Sequence, residues 1–429
     1  MADETFLSDD LLRQLMSVGE VDLLVGILAH RSANTVRRAA HYVEKSLQQN
    51  FVRQRVAIIS VDGGAVDDSG FDERSGDGEP GNNSSSKGMT SLRTIHRVSA
   101  AFNGAPSPGL ALRTILSASD LLRARACAVV SPATSSTSPE WVANLLRPAF
   151  RDSFDFVAPL YSRHKFQGLL ARNLLYPMTR ALFGRRIREL YSDEWAFSNR
   201  LGNFCQNEDV WHEEPVRSRP EAWMGISALT SDFRCCQVYL GEKPPPPDGA
   251  GPDLVEVLRQ TVGSLFWLLE TNQQSWLERK GSDALPTFGP DHAVTAEPQE
   301  LNRARMFEMF QTGVKELEPI LESILSPQTL ESIQGIATLD QHAFRFPAEL
   351  WVTMLYEFAA SYHHSVINRD HLVQALVPLY RGKIYSFLAE YADTSATEME
   401  AVSENLCLEF ERQKPYLMEK WKAGVEVKS

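Results

Sequence analysis

The residues able to do chemistry gather at a few places in this chain. Asp62-Gly63-Gly64 closes an apolar run, with Asp67 and Asp68 just beyond. A carboxylate there can accept hydrogen bonds from a nucleoside, and two glycines let the backbone approach a ligand. A turn with solvated acids fits the same residues. From Arg163 to Arg188 stand seven basic residues and no acid: Arg163, Lys165, Arg172, Arg180, Arg185, Arg186 and Arg188. Such a bias can cradle an anion, although the helical members also suit a solvated helix face with extended stems. Arg163-His164-Lys165, directly after an apolar run, is the better anion site. Asp193-Glu194 and Glu221 follow, carboxylates of the kind that orient hydroxyls or act as bases. His212-Glu213-Glu214 and His363-His364 resemble metal ligands, but neither has a third at helical spacing, so both read as structural or surface residues. The chain contains no GxxxxGK[ST], HExxH or GxSxG. Gly76 to Gly81 spells GxGxxG, yet Asp77, Glu79 and Pro80 would repel or obstruct a diphosphate, and no helix follows.

These residues need a scaffold, and the hydrophobic pattern supplies one. Val21 to Leu28 is an apolar strand buried on both faces. Asn34 to Gln49 follows at helical spacing, and Arg55 to Val61 is a second strand. Strand, helix, strand in about 40 residues is a βαβ unit with a parallel sheet. Gly109 to Arg123 then reads as helix, Ala124 to Val130 as strand, Ser138 to Phe150 as helix, Phe154 to Leu160 as strand, and Cys235 to Leu240 as another. The expected fold is a doubly wound α/β domain over residues 21–245, behind an extension over 1–20, with ligands beyond the carboxyl ends of the strands. Residues 62–108 read as a mobile loop, because 62–87 is rich in Gly, Ser, Asn and acids. The proline run Pro244 to Pro247 marks a boundary. Beyond it, residues 246–429 read as mainly helical: Leu254 to Leu277, Glu300 to Leu325, Pro347 to His363, Arg369 to Glu390 and Thr397 to Lys422.

Composition narrows the function. In 429 residues, 43 Lys and Arg against 55 Asp and Glu leave a formal net charge of −12. That argues against a general nucleic-acid or anionic-membrane binder. Cys127, Cys205, Cys235, Cys236 and Cys407 have no CxxC spacing and read as reduced thiols. No apolar run approaches the ~20 residues of a membrane span. No signal peptide is visible, and a cytoplasmic location is expected.

The order of pieces, VDLLVGIL, AIISVDGGAVDDS, GLALRTIL, ACAVV, then FDFVAPLYSRHKF with YPMTRALFGRRIREL, resembles the family 2 type of GT-A glycosyltransferases. The nearest subset is that of glucosyl-3-phosphoglycerate synthase and mannosylglycerate synthase. The resemblance covers roughly Val21 to Glu390, including FPAELWVTMLYEFAASYHH and RDHLVQALVPLYRGKIYSF. It implies transfer of a sugar from a UDP- or GDP-linked donor to a small, often anionic acceptor such as a glycerate derivative. It also implies a divalent cation, Mg or Mn. By the same resemblance Asp62, with Gly63 and Gly64, contacts the donor nucleoside. Glu194 is the catalytic glutamate on the acceptor side. Arg163, His164 and Lys165 fall in the loop that meets the acceptor's negative charge, and Glu221 sits where a later acid is expected.

The departures lie at one sub-site. Ser131-Pro132-Ala133 replaces the Asp-x-Asp-like motif that holds the cation, so no metal ligand is assigned, although Asp67, Asp68 or Asp193 could supply an acid. Leu110 replaces a lysine before the GLALRTIL helix. The histidine expected after the last strand falls near Pro245, and Leu28 replaces a proline. Cation and lysine stabilisation of a departing diphosphate is worth several kcal/mol, and each ~1.36 kcal/mol is tenfold in rate. Three functions stand: a glycosyltransferase that neutralises the diphosphate through arginines without metal, a degenerate homologue retained as a binding or partner subunit, or a helical interaction protein whose α/β half is only a platform. A homodimer through the helical tail is left open.

Overall fold

The computed structural model describes residues 7–29, 33–62, 95–101, 107–132, 140–243, 253–290 and 302–423. Eight strands form one sheet: β1 Leu23–Ala29, β2 Val56–Asp62, β3 Ile95–Ala101, β4 Ala126–Val130, β5 Phe156–Ser162, β6 Trp195–Ser198, β7 Cys235–Glu242 and β8 Thr287–Phe288. Their order is β3-β2-β1-β4-β6-β5-β7-β8. All neighbours run parallel except β6, which is antiparallel to both β4 and β5. The expected α/β architecture followed by a helical region is what the chain adopts.

Successive strand residues face opposite sides. In β1, Leu24 and Leu28 enter one core while Leu23, Val25 and Ile27 enter the other. Helices Ala33–Asn50 and Glu140–Arg151 cover the second face, and Pro108–Leu121 with Pro220–Thr230 cover the first. Gly26 lets the Pro108–Leu121 helix lie close, since a Cβ there would meet Ile115 Cδ1 at 2.3 Å.

Three elements depart from the sequence expectation. The 62–108 span expected as loop contains β3, an edge strand whose polar residues, His96, Arg97 and Ser99, hide it from an apolar run. Residues 63–94 and 102–106 of that span lie outside the described residues. Strand β6 has four residues, too few for a period-2 signal. The helix expected over 300–325 runs as Arg303–Glu316 and Glu318–Ile324, because Pro319 cannot continue a helix but opens one readily.

The helical tail is not a separate body. Strand β8 comes from beyond the proline run and pairs with β7. The Trp351 indole donates to the Asn173 carbonyl at 2.8 Å, and the first core runs continuously from β1 into the tail helices. The C-terminal helix, Ala396–Lys422, opens on a capping box of Ser395 and Glu398. It packs on helix Tyr176–Phe183 through Arg180, which has no solvent exposure. The Arg180 fork donates to both oxygens of Glu404 at 2.6 and 2.7 Å, and Nε to Glu411 at 2.8 Å. Part of the basic stretch that suits a solvated face is therefore a buried clamp.

Arg180→Met would strand these two carboxylates. We expect a loss of roughly 3 kcal/mol in chemical denaturation, the low end for a broken buried ion pair because Glu404 is partly exposed. Arg180→Lys should recover only part, since one ammonium cannot reproduce the planar fork.

Candidate functional site

The carboxyl ends of β4, β5 and β7 meet at one edge of the sheet. Strand β6 runs the other way, so the residues leading into it reach the same edge. Val129 pairs with Trp195, which sets Glu194 beside the end of β4. Glu194 is buried, and Ser131 Oγ donates to its Oε1 at 3.0 Å. Its Oε2 accepts from the Tyr161 hydroxyl at 2.5 Å and from Ser192 Oγ at 3.3 Å. Lys243 Nζ stands 3.5 Å from Glu194 Oε2 and 3.5 Å from Asp193 Oδ2. Burial and the charge of Glu194 raise the Tyr161 phenol well above its usual range, so it stays a donor. Most of the accepting capacity of Glu194 is thus engaged inside the protein.

Beside this cluster lies a cavity of about 640 Å³, lined in part by Tyr161, Arg163, Arg172, Arg188, Glu189 and Thr397. Arg163 Nε and Nη2 donate to the two Glu189 oxygens at 2.8 and 2.9 Å. Gly168, at φ +63°, leaves room for that side chain, since a Cβ there would lie 3.1 Å from Arg163 Cδ. Arg188 is paired with Glu400 at 2.5 and 3.0 Å. Arg172 sits in a π turn, Ala171–Leu175, a local form that recurs at functional sites. Its Nη1 donates to Ser403 at 3.0 Å, while its buried Nε has no partner. Burial lowers the Arg172 pKa from its ordinary value, Glu400 opposing this in part. A guanidinium on the cavity wall that no carboxylate pairs directly is the group here able to meet an anion.

The residues singled out from sequence separate into three groups. Glu194 and Arg163 stand at this edge, with Glu221 behind them. Glu221 is buried beside Arg219 at 3.4 Å. Asp62 ends β2 at the same edge, opposite Ala29, but its side chain lies outside the described residues, as do Gly63, Gly64, Asp67 and Asp68. His164 and Lys165 do not line the cavity. The His164 ring accepts the Phe166 amide at 3.2 Å, and Lys165 Nζ donates to the Ala392 carbonyl and, at 2.9 Å, to that of Thr394. Lys165 ties down the turn before the C-terminal helix. His212 reaches the surface acids Glu213, at 3.3 Å, and Asp209, at 4.0 Å, and His363 stacks on Trp421 at 4.1 Å. Sequence reasoning missed Tyr161, Ser192 and Lys243. Only the position of Lys243, between a strand end and a proline run, could have marked it.

A divalent cation does not fit these residues. Ser131 and Pro132 offer no carboxylate, and Ala133 lies outside the described residues. The two acids nearest, Asp193 and Glu194, already face an ammonium, and a further ion beside it meets repulsion of roughly 4 kcal/mol per unit charge at 4 Å near a protein surface. Among the described residues no group of three or more His, Cys, Asp or Glu could hold a metal ion. No helix among them is long and apolar enough to cross a membrane.

An open sheet with β1 at its parallel centre, one reversed strand between β4 and β5, and a helical tail is a mixed α/β fold of the class expected from the sequence. Similar solved structures include glucosyl-3-phosphoglycerate synthase from Mycobacterium tuberculosis in complex with Mn2+, UDP-glucose and phosphoglyceric acid. That pair is 16% identical over 64% of this chain and 86% of that one, with a TM-score of 0.40. Mannosyl-3-phosphoglycerate synthase from Rubrobacter xylanophilus is 16% identical over 63% and 80%, with a TM-score of 0.37. Strand order, not these overlaps, defines the fold. No family model and no curated protein matches the sequence.

Burial pushes the Glu221 carboxyl up to about 7, with Arg219 opposing only in part. An acid with a raised folded pKa binds its proton more tightly when folded, so stability falls as pH rises from about 4.5 to about 7. Glu221→Gln removes that dependence. Thermal melts should show the variant gaining on the parent by up to ~3 kcal/mol at pH 8, the gain vanishing near pH 4.5.

Proposed function

We propose that this chain transfers a sugar from a UDP- or GDP-linked donor to a small acceptor carrying a phosphate or carboxylate. The observation that carries the reading is the cavity at the carboxyl edge of the sheet, walled by Arg163, Arg172 and Arg188 and sharing Tyr161 with the buried Glu194 cluster. The acceptor's anionic group meets Arg172 and the amino end of the C-terminal helix, whose Thr397 lines the cavity. Arg163, held in orientation by Glu189, presents its remaining donor to the same group. The donor nucleotide lies along the ends of β1, β2 and β4, with Asp62 and the two glycines after it at the nucleoside.

In the reaction the bond from the anomeric carbon to the β-phosphate oxygen breaks, and a bond from that carbon to an acceptor hydroxyl oxygen forms. The nucleoside diphosphate leaves, and the hydroxyl proton passes to it or to solvent. With its oxygens engaged by Ser131, Tyr161, Ser192 and Lys243, Glu194 acts as a positioning residue that holds these donors in place. Glu221, one layer behind, holds Arg219 toward Asp193. A second reading, a binding or partner subunit without turnover, is favoured by the absence of an acid at Ser131-Pro132.

Calorimetric titration with UDP and GDP, followed by phosphoglyceric acid, separates them. Transfer requires that nucleotide and acceptor both bind and that UDP- or GDP-linked sugar is consumed when both are present. Acceptor binding without consumption selects the second reading. Arg172→Met should weaken acceptor binding about 10- to 100-fold, the loss expected for a charged hydrogen bond, and leave nucleotide affinity unchanged.

A further inference from the structure

We propose that the ammonium of Lys243 is the fixed cation of the diphosphate sub-site, so that nucleoside diphosphate binds to this chain without a divalent metal ion. The inference rests on the donor reading just given and adds how the diphosphate charge is met. Three observations on the carboxyl edge carry it.

The first is register. Strands β5 and β7 pair Leu160 with Tyr239 but Tyr161 with Gly241, so Leu240 is an extra residue in β7. Gly241 has φ +86°, a conformation open to glycine. Without this bulge Glu242 would stand opposite Arg163. With it, Ser162 faces Glu242 and Lys243 follows opposite Arg163. The irregularity exchanges an acid for a base at the end of the strand.

The second is geometry. Nζ is 3.5 Å from each of two carboxylates and 4.8 Å from the centre of the Tyr161 ring. The hydrogen bond to Asp193 and the ion pair to Glu194 are long beside the ~2.7–2.9 Å of a tight ammonium–carboxylate bond, and two acids leave the third donor of this ammonium uncommitted. Its side chain keeps 22% of its surface exposed. Glu194, which holds it, is held in turn by Ser131, the position where the resembled family carries its metal-binding acids.

The third is charge. Asp193 and Glu194 together are opposed by Lys243, with Arg219 and Arg163 also bearing on Asp193. One ammonium against two acids is offset only in part by Arg219 and Arg163, which are themselves paired with Glu221 and Glu189, so the ammonium is the group at this point that directly faces an incoming phosphate. A metal ion would have to displace it.

Titration of the full-length protein with UDP and with GDP, in EDTA and then in Mn2+ or Mg2+, tests the proposal. We expect at least one nucleotide to bind in EDTA with a dissociation constant within about twofold of that in metal. Lys243→Met should weaken it about tenfold or more, and Lys243→Arg should restore it to within about threefold. Binding that appears only with metal, or Lys243→Met binding like the parent, overturns the proposal and leaves the sugar-transfer reading standing. Absence of nucleotide binding under both conditions overturns the donor reading and this proposal together. Should Lys243→Met fail to fold, the parent in EDTA and Lys243→Arg still decide the matter.

Discussion

A guanidinium shut away from solvent must find carboxylates, and the whole carboxyl edge of this protein is arranged around that requirement. Arg180 finds Glu404 and Glu411, more than 200 residues along the chain, and Ser282 accepts from Arg180 Nε at 3.0 Å and donates to Glu411 at 2.7 Å. Glu400, Glu404 and Glu411 recur at helical spacing on one face of the C-terminal helix. Arg188 takes Glu400, Arg172 reaches Ser403, and Lys165 grips the carbonyls before the helix begins. The basic segment from Arg163 to Arg188 is thus largely a landing strip for an acidic helix. Its stability comes from pairing charges that neither partner could bury alone.

The cavity is a consequence of that docking. One wall is the end of β5, and another is the start of the C-terminal helix, whose capped amino end sets Ala396 and Thr397 against the cavity. Of the three arginines on its walls, two are held by bidentate pairs and one is left with an unused donor. The anion site we propose is what remains when a clamp has more cationic donors than the helix has acids to meet them.

Glu194 organises the neighbouring sub-site in the opposite sense, as a buried acid gathering donors. Tyr161, Ser131, Ser192 and Lys243 come from four different segments and agree only at this carboxylate. Such a network is rigid when fully satisfied and costly when any member is removed. The reversed strand β6 is what makes it: an antiparallel strand brings its leading residues to the edge where the parallel strands finish.

Much of this was legible in the linear chain. The continuous apolar runs of β1, β2, β4, β5 and β7 announced buried strands, and helical periodicity announced the tail, because burial imposes a pattern within a window of a dozen residues. The resemblance of local motifs singled out Glu194 and Arg163 as candidates, and both lie at the carboxyl edge of the sheet. Strands β3, β6 and β8 were not, being short or at edges where little apolar surface is required. Nor was the role of Arg180, His164 or Lys165, since a basic residue in sequence carries no sign of which distant acid or carbonyl will meet it. Lys243 depends on a one-residue bulge in a pairing between β5 and β7. Local pattern determined which segments are strands and helices; only the tertiary structure decided which charges meet, because register and long-range pairing are properties of two segments together and are written in neither alone.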